Sequence, residues 1–354
     1  MSLDIESNGF HRYPERVCLV QLAAEGSVFL IDPLGTPDMG ALGKLLADPS
    51  VEKVFHSADY DLRSLDRDWG FRVSNLFDTS VAAAFAGSTH LGLAAVLQEY
   101  LGVEVPKSKR LQRADWTLRP LSAEARLYAA SDVLYLERAR DLLVERLDGL
   151  SRLEWVREEC ERLAETRYQP RDAAWAFLKM KGSHALDSRG LAVLRSLHRF
   201  REREAVRRDR PPFKVVSDAV LVGLAASPHS DLATVTGLGR YGGPPAAEAL
   251  LAAIRDGLRD GLVTRPRRKP LNTRRLSAAE RAKVAERLQC AKGWRTRLGQ
   301  RLGLDPALLW PATSLERLAG RRSSIDEEFE SGSVRSWQRR EFGDSLRTLF
   351  ARLD

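Results

Sequence analysis

The residues of this chain best suited to chemistry are carboxylates at short spacings. Asp4 and Glu6 stand two apart in the extended run "SLDIE", and in a strand that spacing puts both side chains on one face. Neighbouring carboxylates repel each other and resist burial, and a divalent cation relieves both costs. Oxygen ligands suit Mg²⁺ or Mn²⁺, and no histidine or cysteine cluster competes. The pair alone reads equally well as two exposed acids at a strand end. Further along, "YAASDVLYL" stacks Tyr128 and Asp132 at i and i+4 of one helix, about 6 Å apart at Cβ. Asp132 stands among apolar neighbours, where an unpaired carboxylate is costly. Between them, "FHSADYDLRSL" offers Asp59 and Asp61 near a helix start. Asp59 meets the helix dipole and the free N–H groups there. Asp61, directly before Leu62, points back to the sheet, so geometry prefers Asp61 by a narrow margin.

For these acids to meet, one strand and two helices must converge, and the N-terminal part of the chain supplies them. "SLDIE", "RVCLVQLA" and "SVFLID" read as strands, the last two joined by a Glu25-Gly26 hairpin turn. "GALGKLLADP" reads as a helix, "VEKVFH" as a strand, "ADYDLRSLDRDWG" as a helix and "VSNLFDT" as a further extended segment. The alternation predicts an α/β domain with a partly antiparallel sheet. Helices follow over 79–86, 91–101, 122–148 and 151–166. The third has Leu127, Val133, Leu134 and Leu142 at helical spacing and Ser122 as its cap. Asp78 of "FDTS" reads as a cap that organises the site without ligating. Beyond Arg167 the pattern is helical. A helix is predicted between Pro170 and Gly182, another from Ser188 to before Pro211-Pro212, one capped by Ser217, and one over 244–259, together a small bundle. After a basic linker at 264–275 comes a last helical unit, in which Trp337 reads as a packing anchor.

With 354 residues, 44% of them apolar, the chain supports two or three cores. No apolar run approaches the roughly 20 residues of a membrane helix, and no apolar signal segment opens the chain, which points to the cytoplasm. Cys18, Cys160 and Cys290 lie far apart without a CxxC, against a disulfide scaffold or a zinc-thiolate site. The charge is uneven. Residues 1–150 hold 16 Lys/Arg against 22 Asp/Glu, net −6; the remainder holds 40 against 26, net +14. From Asp256 to Arg301 there are 14 basic residues against 4 acidic ones. An acidic part that binds metal beside a basic part that holds a polyanion suits an enzyme of nucleic acid, although an Arg-rich solvated surface explains the charge as well.

Three segments, "LDIESNGFHRYPERVCLVQL", "FHSADYDLRSLDRDWGFRVSNLFDTSVAA" and "RADWTLRPLSAEARLYAASDVLYL", resemble the three exonuclease segments of the ribonuclease D family, the tyrosine subclass of the DEDD 3′–5′ exonucleases. Residues from about 190 to 260 resemble its helicase-and-ribonuclease-D C-terminal (HRDC) domain, and the last 80 or so a more divergent copy. The resemblance implies a ribonuclease H-like α/β exonuclease domain with a mixed sheet over 1–166, then two all-α HRDC-like bundles over 167–263 and 264–354. It implies a metal-dependent 3′–5′ exoribonuclease using two divalent ions, Mg²⁺ or Mn²⁺. Asp4 would bridge them, Glu6 and Asp132 would serve the water-activating ion, Asp61 the second, and Tyr128 would orient the attacking water. By the same resemblance Asp61 rather than Asp59 is the ligand, leaving Asp59 a capping role. Nucleoside 5′-monophosphates are the implied products.

RNA 3′ ends are the implied partner, with tRNA precursors or other structured small RNAs as substrates of a cytoplasmic monomer. Phe10 and His11 follow the acidic strand and are placed to stack on terminal bases. Lys107, Lys109, Arg110 and Arg119 surround "ADW" and are placed to hold phosphates; each also reads as ordinary loop or surface. Trp116 reads as a packing anchor. Removing 265–354 is expected to weaken RNA binding and reduce its salt slope without eliminating hydrolysis of short oligonucleotides. A single-strand DNA exonuclease and a non-catalytic nucleic-acid-binding protein are the alternatives. One departure stands out: only Met1, Ser2 and Leu3 precede the acidic pair, where the family pattern has a longer lead-in, so the strand bearing it is expected to be thinly supported.

Overall fold

The computed structural model describes residues 1–36, 38–105, 108–170, 172–266 and 276–353. Strands β1 (Ser2–Ser7), β2 (Val17–Ala24), β3 (Ser27–Ile31), β4 (Lys53–Phe55) and β5 (Leu76–Asp78) form one sheet in the order β3-β2-β1-β4-β5. The pairs β3–β2 and β2–β1 are antiparallel, β1–β4 and β4–β5 parallel, so the sheet is mixed. The strand expected to be thinly supported is central: β1 pairs with β2 from Ser2 to Ser7 and with β4 at Ser2. Alternation sorts its side chains. Leu3 and Ile5 join Val20 and Leu22 in a core against α1 (Gly40–Ala47) and α2 (Asp59–Trp69). Asp4 and Glu6 therefore face the opposite side.

Helices α3 (Thr79–Ala86), α4 (Leu93–Leu101) and the short α5 (Lys109–Gln112) follow, then α6 (Ala123–Leu134), α7 (Leu136–Gly149) and α8 (Leu153–Ala164). The single helix predicted over 122–148 is broken at Tyr135. The break lets α6 lie across β1, β2 and β3 while α7 turns onto α3, α4 and β4. Of the residues read at helical spacing, Val133 is buried, whereas Leu127 is 73% and Leu134 46% exposed. Ala125 and Ala129 are buried beside Val133, small residues that bring α6 close to the sheet. Ser122 caps α6 as expected, accepting from the Ala125 N–H at 3.1 Å.

The helix predicted between Pro170 and Gly182 is absent from the described residues there, which hold a 3₁₀ turn at Ala176–Lys179. The Asp172 side chain accepts the Ala174 N–H, offering the backbone a local bond that competes with a helix. A second core gathers α9 (Ser188–Arg207), α10 (Pro212–Val215), α11 (Asp218–Ala226, capped by Ser217) and α12 (Ala246–Arg259) around Leu194, Leu197, Phe200 and Tyr241.

The last helices are α13 (Ala278–Leu302), α14 (Pro306–Leu309), α15 (Ala312–Ala319), α16 (Ile325–Glu330) and α17 (Ser336–Ala351). They share one core with α3, α7 and α8: Trp337 stacks on Trp155 at 4.6 Å and meets Phe85 edge-on at 5.4 Å. Buried Arg152 ties the two together, donating to the carbonyls of Phe85 and Leu302. Removing 265–354 would strip that shared core, so the expectation that short-substrate hydrolysis survives the truncation is withdrawn.

Candidate active site

The site is assembled from β1, α2 and α6. Because α6 crosses the face of β1 that carries Asp4 and Glu6, it brings Asp132 to them. One carboxylate oxygen from each of Asp4, Glu6 and Asp132 lies within 4.8 Å of the others. Asp61 enters from the first turn of α2 and is 6% exposed. Among the described residues, none of the four carboxylates is paired with a basic side chain. The electrostatic consequence is a cluster that clings to protons. Burial pushes Asp4 up to about 6, against a backbone hydrogen bond at Ile5. Burial, then the charges of Asp4, Asp132 and Asp61, push Glu6 up to about 10. Burial and Asp4 push Asp132 up to about 8. Asp61 is raised well above the carboxylate range by burial, then by Asp4, Asp78 and Asp59. Four acids converging without a basic partner, all of them oxygen donors, fit a hard divalent cation.

Asp59 and Asp61 have separated fates. Asp59 faces solvent and forks onto Arg63, with both contacts at 2.9 Å. It does not cap α2, whose N-terminal residue has no side-chain cap of its own. That work falls to Asp78, which is 1% exposed. Its carboxylate accepts the N–H groups of Ser57 (3.0 Å) and Ala58 (2.8 Å) at the mouth of α2, and those of Ser80 and Val81 in its own helix α3. One buried acid thus fixes two helix starts and, through them, Asp61.

Tyr128 stands one turn before Asp132 on α6, its ring 6.3 Å from that of Trp116. Trp116 is 1% exposed, a packing anchor as read. Burial, then the charges of Asp132 and Glu6, raise the Tyr128 phenol above its ordinary range.

The expected substrate contacts divide. Phe10 is 50% exposed, with the Arg113 guanidinium 5.9 Å from its ring, and the Nε2 of His11 lies 2.7 Å from the Arg113 carbonyl. Lys109 is exposed, while Arg110 pairs with Glu124 on the surface. The reading of Arg119 as a phosphate ligand is corrected, because its guanidinium is spent on the protein. It forks onto Asp32 (2.6 and 2.7 Å) and donates to the carbonyls of Trp116, Leu118 and Cys18. Lys107 lies outside the described residues.

The loop 8–16 that carries Phe10 is held by residues the sequence did not single out. Glu15 takes the Ser7 hydroxyl, the Tyr60 hydroxyl and Arg67. Arg12 reaches Asp115 and Asp209, and the Tyr13 hydroxyl donates to Glu202 at 2.5 Å. The sequence holds no short-range signal for these pairs, whose members stand up to 197 residues apart.

Residues 1–148 match the 3′-5′ exonuclease family and residues 190–254 the HRDC domain. The ribonuclease D of Gluconacetobacter diazotrophicus is 31% identical over 361 residues, an alignment that spans 99% of this chain and 87% of that protein. The chain belongs to the ribonuclease D family. Two crystal structures share the fold over 99% of this chain and 92% of theirs. One is a protein from Bifidobacterium adolescentis, TM-score 0.81 at 22% identity; the other is Escherichia coli RNase D, described as an exoribonuclease involved in structured RNA processing, TM-score 0.67 at 24% identity. The chain is accordingly a 3′–5′ exoribonuclease, with an exonuclease fold followed by an HRDC helical domain. Metal dependence is the general property of this family. Among the described residues no helix is long and apolar enough to cross a membrane.

Proposed function

We propose that Asp4, Glu6, Asp61 and Asp132, with Tyr128, form the hydrolytic centre, and that it removes nucleoside 5′-monophosphates one at a time from RNA 3′ ends. The observation that carries this reading is the convergence of the four acids with no basic partner among the described residues. In this reading they hold two divalent ions, Mg²⁺ or Mn²⁺, with Asp4 shared, Glu6 and Asp132 on one and Asp61 on the other. Ions bound there would polarise the phosphate and make water a stronger nucleophile at neutral pH.

The chain's own groups then have distinct tasks. The four carboxylates neutralise the cations and set their positions. Tyr128, its phenol held above the ordinary value, keeps its proton at neutral pH and acts as a hydrogen-bonding group that orients water. Asp78 keeps α2 in place. Phe10 and His11 line the rim for the terminal bases, and Lys109 supplies charge for a phosphate. Arg110 keeps a smaller part, since a phosphate must compete with Glu124.

The domain division at 166/167 and 263/264, the HRDC-like character of the last unit, the monomeric state and the cytoplasmic setting belong to the same proposal. So do tRNA precursors or other structured small RNAs as substrates, a reading supported by the basic C-terminal half. The test is hydrolysis of 3′-labelled and 5′-labelled RNA, with and without Mn²⁺, beside a DNA of the same sequence. Early release of labelled mononucleotide from the 3′ end, dependent on Mn²⁺ and favouring RNA, is expected. Internal cuts, or release from the 5′ end, would overturn it.

A further inference from the structure

Gln21 lies in the middle of β2 and is wholly buried, yet neither its Oε1 nor its Nε2 has a hydrogen-bond partner. A buried, unpaired amide costs about 1–3 kcal/mol for each group left unsatisfied, so an amide retained in a strand core implies a use for it. Its strand register identifies the use. Gln21 is directly opposite Asp4 on one side and Leu30 on the other, and opposite residues in an antiparallel ladder share a face, with Cβ atoms about 5 Å apart. On that face Gln21 is flanked along its own strand by Leu19 and Ala23 and covered by α6. Of the two carboxylates that β1 presents on that face, Asp4 is directly opposite Gln21, and Glu6 stands one diagonal step away, opposite Leu19.

We propose that Gln21 is the positioning residue of Asp4: its side-chain amide, unpartnered in the metal-free protein, would donate to the Asp4 carboxylate when a divalent cation is bound and fix the orientation in which that carboxylate meets it. The amide is neutral, so it orients the acid without cancelling the charge the cation needs. A lysine or arginine there would compete with the cation, and an aliphatic residue would leave the carboxylate free to turn. Outer groups of this kind commonly matter about 10–100-fold in metal affinity. The inference rests on the reading of Asp4 as a metal ligand.

The experiment uses the full chain and four proteins: wild type, Gln21→Met, Gln21→Leu and Asp4→Ala. Mn²⁺ binding is measured by titration of the free-Mn²⁺ electron paramagnetic resonance signal, and thermal unfolding is followed in chelator. Both Gln21 variants remove the amide and keep an apolar side chain of similar bulk. They are expected to weaken Mn²⁺ binding about tenfold or more while the metal-free Tm stays level or rises, because an unsatisfied polar group has been removed. A merely structural glutamine gives the opposite pattern, a lower Tm with Mn²⁺ affinity kept. That pattern in either variant, or affinity within about twofold of wild type, overturns the proposal. Asp4→Ala separates the two levels: if it too binds Mn²⁺ like wild type, the reading of the site has failed. If it loses binding while the Gln21 variants keep theirs, only the role of Gln21 has.

Discussion

Two aspartates a single residue apart differ because a helix points them in different directions. Asp59 is at the surface with Arg63, and Asp61 is buried beside Asp4. Asp61→Ala is expected to lower kcat on a 3′-hydroxyl RNA about a thousandfold. Asp59→Ala breaks an exposed i,i+4 pair that solvent screens, and should leave kcat within about twofold. Circular dichroism on both variants checks that the fold is kept, and equal losses of activity would refute the assignment. The same acids make stability depend on pH in an unusual direction. A carboxyl whose folded pKa is raised stabilises the native state fully below its unfolded value, near 4 for Asp and Glu, and loses that contribution as pH climbs through the folded value. Here those values are about 6 for Asp4, about 8 for Asp132 and about 10 for Glu6, with the cluster titrating as a unit. In chelator, Tm should therefore fall from about pH 5 to about pH 9. Mn²⁺ should restore it most at the alkaline end, and Asp132→Asn should flatten the slope. A Tm that is level or rises over that window would refute the raised values. The acids themselves were legible in the sequence because strand period and helical i,i+4 spacing set their faces directly. The choice between Asp59 and Asp61 was only weakly so, since both lie in the first helical turn and the buried partner that decides it, Asp78, is far along the chain.

The elements that carry these residues depend on Asp78 more than on any cap inside α2. Asp78→Ala removes the acceptor for four backbone N–H groups at once and is expected to cost about 3 kcal/mol, read from denaturant unfolding. Asp78→Asn is more selective. Oδ1 takes Ser57, Ser80 and Val81, and Oδ2 takes Ala58. Placing the new amide group toward Ala58 spares α3 and releases the start of α2. Asp78→Asn should therefore lose activity out of proportion to stability, because Asp61 sits three residues beyond the released N–H. Loss of activity only where the protein unfolds would contradict this. Strands, hairpin and most helices were readable from periodicity and caps. The break at Tyr135 was not, because Leu127, Leu134 and Leu142 keep a helical spacing across it although they are exposed, while close packing on the sheet buries Ala125 and Ala129 beside Val133. Arg119 was misread for a related reason. A basic residue near the site looks like a phosphate ligand until the distant Asp32 and three carbonyls are found around it.

At the scale of the whole molecule, the charge asymmetry and the shared core pull a truncation experiment in opposite directions. Deleting the last unit would remove basic charge, but it would also uncover Trp155 and Phe85 and leave Arg152 without the Leu302 carbonyl. Weaker RNA binding in such a fragment would say nothing about charge. The charge must instead be removed from an intact fold. On α13, Lys283, Lys292 and Arg297 are exposed, whereas Trp294 and Leu298 of the same helix face the core. Changing the three cations to Gln preserves the helix, because Gln is nearly as good a helix former as Lys or Arg. If they meet RNA phosphates, each lost contact should reduce the slope of log affinity against log salt by about 0.7 for single-stranded RNA, so the triple variant should lose about 2 from it. Affinity should fall at low salt and converge with wild type at high salt. The metal-free Tm should be unchanged, as should kcat on a substrate of a few nucleotides, because none of the three touches the carboxylate cluster. An unchanged slope would move the polyanion surface off α13, and a fall in kcat on the short substrate would mean that this helix acts on the site itself.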